Sequence, residues 1–94
     1  MSNLLKISLR DLETGNINEY TQEVVTLKDY RSALKLRDKL NEENVDENEL
    51  VDEFVNFVVE VYKGKVSFQQ VIDGVDPNDL LEIISTHINR CLGK

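Results

Sequence analysis

Residues Leu50–Leu81 read LVDEFVNFVVEVYKGKVSFQQVIDGVDPNDLL, and this stretch decides the fold. FVNFVVEVY has the β-branched richness of a strand, but its spacing is helical. At about 100° per residue, Leu50, Phe54, Phe57, Val58, Val61 and Tyr62 fall together, and Asp52, Glu53, Asn56, Glu60 and Lys63 fall opposite. Strand alternation would put Glu53 on one face with Val55, Phe57, Val59 and Val61, a poorer partition. The spacing predicts a helix from Glu47 to Tyr62. Asp46 caps it, with Glu49 placed for a capping box, and Gly64 supplies a left-handed stop.

Adding Val51, Val55 and Val59 widens the apolar arc to roughly half the circumference, more than one core contact needs. Either this helix is central, packed between other elements on two sides, or part of its arc docks another chain. After Gly64, Ser67 and Gln70 form a capping box for a short turn whose Phe68, Val71 and Ile72 are expected to point inward, with Gly74 as its stop. Asp76 then caps a last helix with Pro77 at its first position. Leu80, Leu81, Ile84, Ile88, Cys91 and Leu92 form its apolar face.

Upstream, Leu5, Ile7 and Leu9 alternate with Lys6, Ser8 and Arg10, the period of a half-buried strand. Thr14-Gly15-Asn16 marks a turn, and Glu19–Val25 is expected to return as the second strand. A hairpin alone is marginal in water, so it must pack on the helices. Thr26 caps a helix over Leu27 to Glu42, with Asp29 in its first turn. Leu27, Tyr30, Ala33, Leu34 and Leu40 are placed on its inner face. The expected fold is α+β and mainly α. It is one domain over residues 1–94, with a β-hairpin (1–25) and a compact helical part (26–94) of three main helices plus one short helical turn.

Composition narrows the function. The 94 residues carry a formal net charge of -7, with 31% charged and 40% hydrophobic residues. Nucleic-acid binders draw affinity from basic surfaces, so no nucleic-acid ligand is expected and anionic membranes are disfavoured too. No apolar run approaches the ~20 residues of a membrane span. The one cysteine permits no internal disulfide, and no signal peptide is evident. A cytoplasmic protein is expected.

No constellation carries chemistry. His87 and Cys91 lie one helical turn apart, but a structural zinc site takes four ligands and the chain has no further His or Cys. The run Asp46, Glu47, Glu49, Asp52, Glu53 lacks the glycine of a calcium loop and reads as a solvated helix start. The glycines are too scattered for a phosphate loop. The expectation is a protein that is not an enzyme and has no cofactor.

One resemblance covers nearly the whole chain. Phe57-Val58-Val59-Glu60-Val61-Tyr62, then Phe68, Gly74 and Leu80-Leu81, resemble the pattern of the tail assembly chaperones of long-tailed phages of Gram-positive bacteria. Tyr30-Arg31-Ser32-Ala33-Leu34-Lys35-Leu36 resembles that family's upstream helix, and the strand pair with Tyr20 fits as well. Lys63 before Gly64 and Val75-Asp76-Pro77 depart from it. The resemblance implies a phage or prophage protein that binds and solubilises the long, apolar tape measure protein. It also implies that the protein recruits tail tube subunits in the host cytoplasm and is absent from the mature virion. Self-association and a longer product made by ribosomal frameshifting near Gly93-Lys94 belong to the same expectation. The helical wheel, not the family, nominates Val55, Val59, Tyr62, Ile88 and Leu92 as partner contacts. Two other classes stay open: a small acidic inhibitor or regulator of another protein, and a head–tail connector subunit.

Overall fold

The computed structural model describes residues 4–93. Residues 1–3 of the expected hairpin segment and Lys94 lie outside the described residues. The order is β1 (Leu5–Arg10), β2 (Ile17–Gln22), α1 (Leu27–Leu40), α2 (Glu47–Val61), α3 (Phe68–Gly74), a 3-10 turn (Pro77–Asp79) and α4 (Leu80–Cys91). This is the expected α+β, mainly α architecture, and one apolar cluster joins hairpin and helices.

The hairpin is antiparallel, with Leu5 opposite Gln22, Ile7 opposite Tyr20 and Leu9 opposite Asn18. Leu5, Ile7 and Leu9 are buried and Lys6, Ser8 and Arg10 exposed, as the alternation requires. The Asp11 N–H donates to the Asn16 carbonyl at 2.8 Å, and Gly15, at φ 76°, donates to the Asp11 carbonyl. The second strand begins and ends earlier than Glu19–Val25. Gln22 is its last residue, and its side chain donates to the Val24 carbonyl as the backbone turns toward α1.

The inner face of α1 is rotated from the expected one. Asp29, Ala33 and Leu36 are buried, while Leu27 is 77% and Tyr30 40% exposed. The reason is Asp29. Its carboxylate accepts from the Thr26 N–H at 3.0 Å and from Lys63 Nζ at 3.2 Å. A satisfied carboxylate can go inside, and the i, i+4, i+7 set that starts on it then defines the buried stripe. The helix stops at Leu40, two residues before Glu42.

Asp46 caps α2 through the N–H groups of Asn48 and Glu49. The expected return bond from Glu49 is not made, because its carboxylate takes Lys39 Nζ at 2.9 Å instead. Leu50, Phe54, Val55, Phe57, Val58, Val61 and the capping Tyr62 are all buried. The helix packs on both α1 and α3, which accounts for its broad apolar arc. The left-handed stop begins one residue earlier than expected: Lys63 (φ 56°) precedes Gly64 (φ 80°). The turn aims the Lys63 ammonium back at Asp29.

The Ser67–Gln70 capping box of α3 is present. Val71 points inward as expected, but Phe68 and Ile72 are about two-fifths exposed, at 41% and 40%. Gly74 is not a left-handed stop. It is buried, and a Cβ there would lie 2.8 Å from Leu9 Cβ and 3.1 Å from the nitrogen and oxygen of Arg10. The glycine lets α3 rest directly on β1. Asp76 caps the Pro77 turn through the Asn78 N–H and not the last helix as expected: α4 starts only at Leu80, after Asp79, which makes no side-chain cap bond, and it buries Ile84, His87, Ile88 and Cys91. Leu81, expected inside, is 63% exposed; it lies in the first turn of α4, before the buried residues begin.

Candidate functional site

The five residues nominated as partner contacts do not form an exterior surface. Tyr62 is 0%, Val55 2% and Ile88 3% exposed. Val59 and Leu92 are partly buried and pack against the core cluster. The wheel measured the width of the apolar arc correctly, but neighbouring elements of the same chain cover most of it.

The core holds a polar contact that the sequence placed only as two separate residues. Tyr62 Oη lies 2.8 Å from His87 Nε2, and His87 Nδ1 lies 2.8 Å from the Ile83 carbonyl. A carbonyl only accepts, so Nδ1 carries the proton and Nε2 accepts from the phenol. The rings are 5.8 Å apart, and Phe54 meets the imidazole edge-on at 6.1 Å. Burial lowers the His87 pKa; the Ile83 bond works against this and the Arg90 charge adds to it. Burial raises the Tyr62 pKa above its ordinary range. Cys91 is pushed up to about 11, by burial first and then by Asp29. A neutral imidazole, a protonated phenol and a protonated thiol make a structural layer rather than reactive groups. Among the described residues no three His, Cys, Asp or Glu side chains gather as a metal site.

This layer gives a pH dependence. A group whose folded pKa is depressed contributes stability above its unfolded pKa and loses it as pH falls through the window below. Stability should therefore fall as pH drops below about 6.5, by about 1.4 kcal/mol per pH unit while folded His87 stays neutral. Urea midpoints between pH 7.5 and 5.5 check this. His87→Gln should flatten the slope in that window, and an unchanged slope would exclude His87 as its source.

Val24, Leu81 and three pairs make up the large apolar side chains exposed among the described residues. Leu27 and Tyr30 lie on the outer side of α1, with Leu34 half-buried one turn further along. Phe68 and Ile72 lie one turn apart on α3, and Leu12 and Ile17 flank the hairpin turn. The α1 stripe was assigned to the core because α1 carries two apolar rows, 27/30/34 and 33/36/40. The signal that could have separated them was Asp29, whose i+4 and i+7 neighbours are Ala33 and Leu36.

Two concavities flank the hairpin. A smaller one of about 290 Å³ lies between the hairpin and α3, against Leu12, Tyr20 and Gln70. A larger groove of about 920 Å³ runs from Lys6, Ser8 and Arg10 of β1 to Val75, Pro77 and Ile83. Its helical rim carries Asp76, Asp79 and Glu82. Among the described residues, no helix is long and apolar enough to cross a membrane.

The surfaces thus offer apolar contacts on a chain of net charge -7 and no reactive cluster. A family model described as phage tail chaperone protein matches residues 3–94. No curated protein and no solved structure matches the chain. With nearly every residue inside that match, the chain belongs to the phage tail chaperone family.

Proposed function

We propose that the protein binds apolar segments of the tape measure protein, keeps them soluble in the host cytoplasm, and brings tail tube subunits to them, leaving before the virion is complete. It acts by contact alone and not as an enzyme. Family membership supports the class of activity. The observation that carries the contact is the outer stripe of α1, where Leu27 is 77% and Tyr30 40% exposed. An amphipathic helical segment of the cargo can lay its apolar face along such a stripe. Weak contacts repeated along one long cargo supply avidity and still permit displacement.

The test is co-expression with the tape measure protein, followed by affinity capture and light scattering. A large soluble complex holding many copies of this chain is expected. Leu27→Asp with Tyr30→Asp should abolish it while shifting monomer stability by no more than about 0.5 kcal/mol per site, as for surface changes. Val59→Glu places a charge beside the core and should cost roughly 1–3 kcal/mol. If the α1 double variant still solubilises the cargo, the contact surface lies elsewhere. A discrete one-to-one complex would point instead to an inhibitor-like regulator.

A further inference from the structure

β1 has a second edge. The bond from the Asp11 N–H to the Asn16 carbonyl fixes the ladder's parity. Odd-numbered residues of β1 exchange main-chain bonds with β2, so Leu4, Lys6, Ser8 and Arg10 turn their N–H and C=O groups away from it. Three contacts agree with this assignment. Arg90 donates to the Leu4 carbonyl at 3.3 Å, Lys65 donates to the outward Thr21 carbonyl of β2 at 2.9 Å, and the Arg10 nitrogen and oxygen face Gly74.

The two ends of the β1 edge are therefore covered, by Arg90 at Leu4 and by Gly74 at Arg10. The middle is not. Among the described residues, no main-chain hydrogen bond from α3, the 3-10 turn or α4 reaches Lys6 or Ser8. Their two donors and two acceptors open into the 920 Å³ groove. That volume lies toward the upper end of the ~300–1,000 Å³ typical of ligand pockets. Open strand edges of this kind pair with extended chains.

The far wall specifies which side chains fit. Val75, Pro77 and Ile83 offer apolar contact, and Asp76, Asp79 and Glu82 stand on the rim with Asp73; the one basic residue on the helical side, Arg90, is engaged by the Leu4 carbonyl. Asp76, Asp79 and Glu82 make no ion pair among the described residues. Successive side chains of a strand point to opposite faces. A segment paired with β1 would set alternate residues against the apolar wall, with its flanking positions near the acidic rim. We propose that the β1 edge and the α3–α4 wall form a slot for an extended segment of a partner protein, apolar at alternate positions and basic at its flanks. Its short open length, and the charges of Lys6 and Arg10 beside it, keep the edge from pairing indiscriminately.

The probe is a synthetic eight-residue peptide of alternating valine and threonine with lysine at each end. A second peptide of identical sequence carries N-methyl groups on the main-chain nitrogens that would pair. Amide NMR titration of the full chain should shift Lys6 and Ser8 with the first peptide and not with the second. Ser8→Pro removes an outward N–H without touching the ladder to β2, and should weaken binding about tenfold or more. Asp79→Lys with Glu82→Lys changes only the exposed rim. It should weaken binding by a similar factor, and it carries the test should Ser8→Pro disturb the hairpin. Equal binding of the methylated peptide, shifts centred on the Leu27–Tyr30 face, or no binding would each overturn the proposal. So would protection of the Lys6 and Ser8 amides that rises with protein concentration, since a second copy would then fill the edge. The tape measure protein takes no part, so the outcome is separate from that of the co-expression test.

Discussion

Tyr62→Ala should leave the protein close to or beyond the limit of folding at 25 °C. The side chain is 0% exposed and its ring lies against His87. Truncating a buried aromatic residue to alanine costs about 3–5 kcal/mol. The change also strips His87 Nε2 of its partner, a further cost of about 1–3 kcal/mol. A domain of this length has about 5–14 kcal/mol in total. Tyr62→Phe isolates the hydrogen bond and should cost only the smaller share. Urea unfolding followed by circular dichroism measures both variants. If Tyr62→Ala keeps its midpoint, the tyrosine is not core and its nomination as a partner contact revives.

Gly74→Val should also be strongly damaging, for a reason of space. The first carbon added would already sit 2.8 Å from Leu9 Cβ and 3.1 Å from two main-chain atoms of Arg10. Those atoms belong to the hairpin and cannot yield as a flexible side-chain tip could. Overpacking usually costs about 1–3 kcal/mol, and with backbone on the receiving side the upper end or more is expected. Gly64→Ala is the contrast. Nothing lies within 4 Å of a Cβ there, but φ is 80°, so the cost should be the roughly 1–2 kcal/mol of a left-handed L-residue. Thermal unfolding of both variants gives the comparison. If Gly64→Ala is the worse of the two, the packing account of Gly74 fails.

The helices and the first strand were legible because their signals are local. Thr26, Asp46 and Ser67 cap the helices that follow them, and the odd positions of β1 are all inside. What sequence could not supply was which of two equally apolar faces meets the rest of the chain. On α1 that choice turned on an ion pair between residues 34 positions apart, Asp29 and Lys63. On α2 both faces were used, so Val55 and Tyr62, drawn from its width, went into the core. Gly74 illustrates the same limit. A glycine after a helical turn reads as a stop, and only the position of Leu9 shows that it marks a close approach. The groove was hidden for a related reason, since main-chain groups left unpaired at a strand edge have no signature in side-chain pattern.

Lys63 reaches the buried Asp29 from the turn that ends α2. Losing Asp29 would leave the Thr26 N–H without its return bond and Lys63 without its partner.

The buried Cys91 has a practical consequence. Its thiol is 4% exposed and held protonated by a pKa pushed up to about 11, and the thiolate is the reactive form. A thiol reagent can therefore attack only when α4 has lifted away from α1 and the hairpin. Because the chain has a single sulfhydryl, its labelling rate clocks one opening event. Following that rate with and without cargo would tell whether the last helix stays seated while the chaperone works.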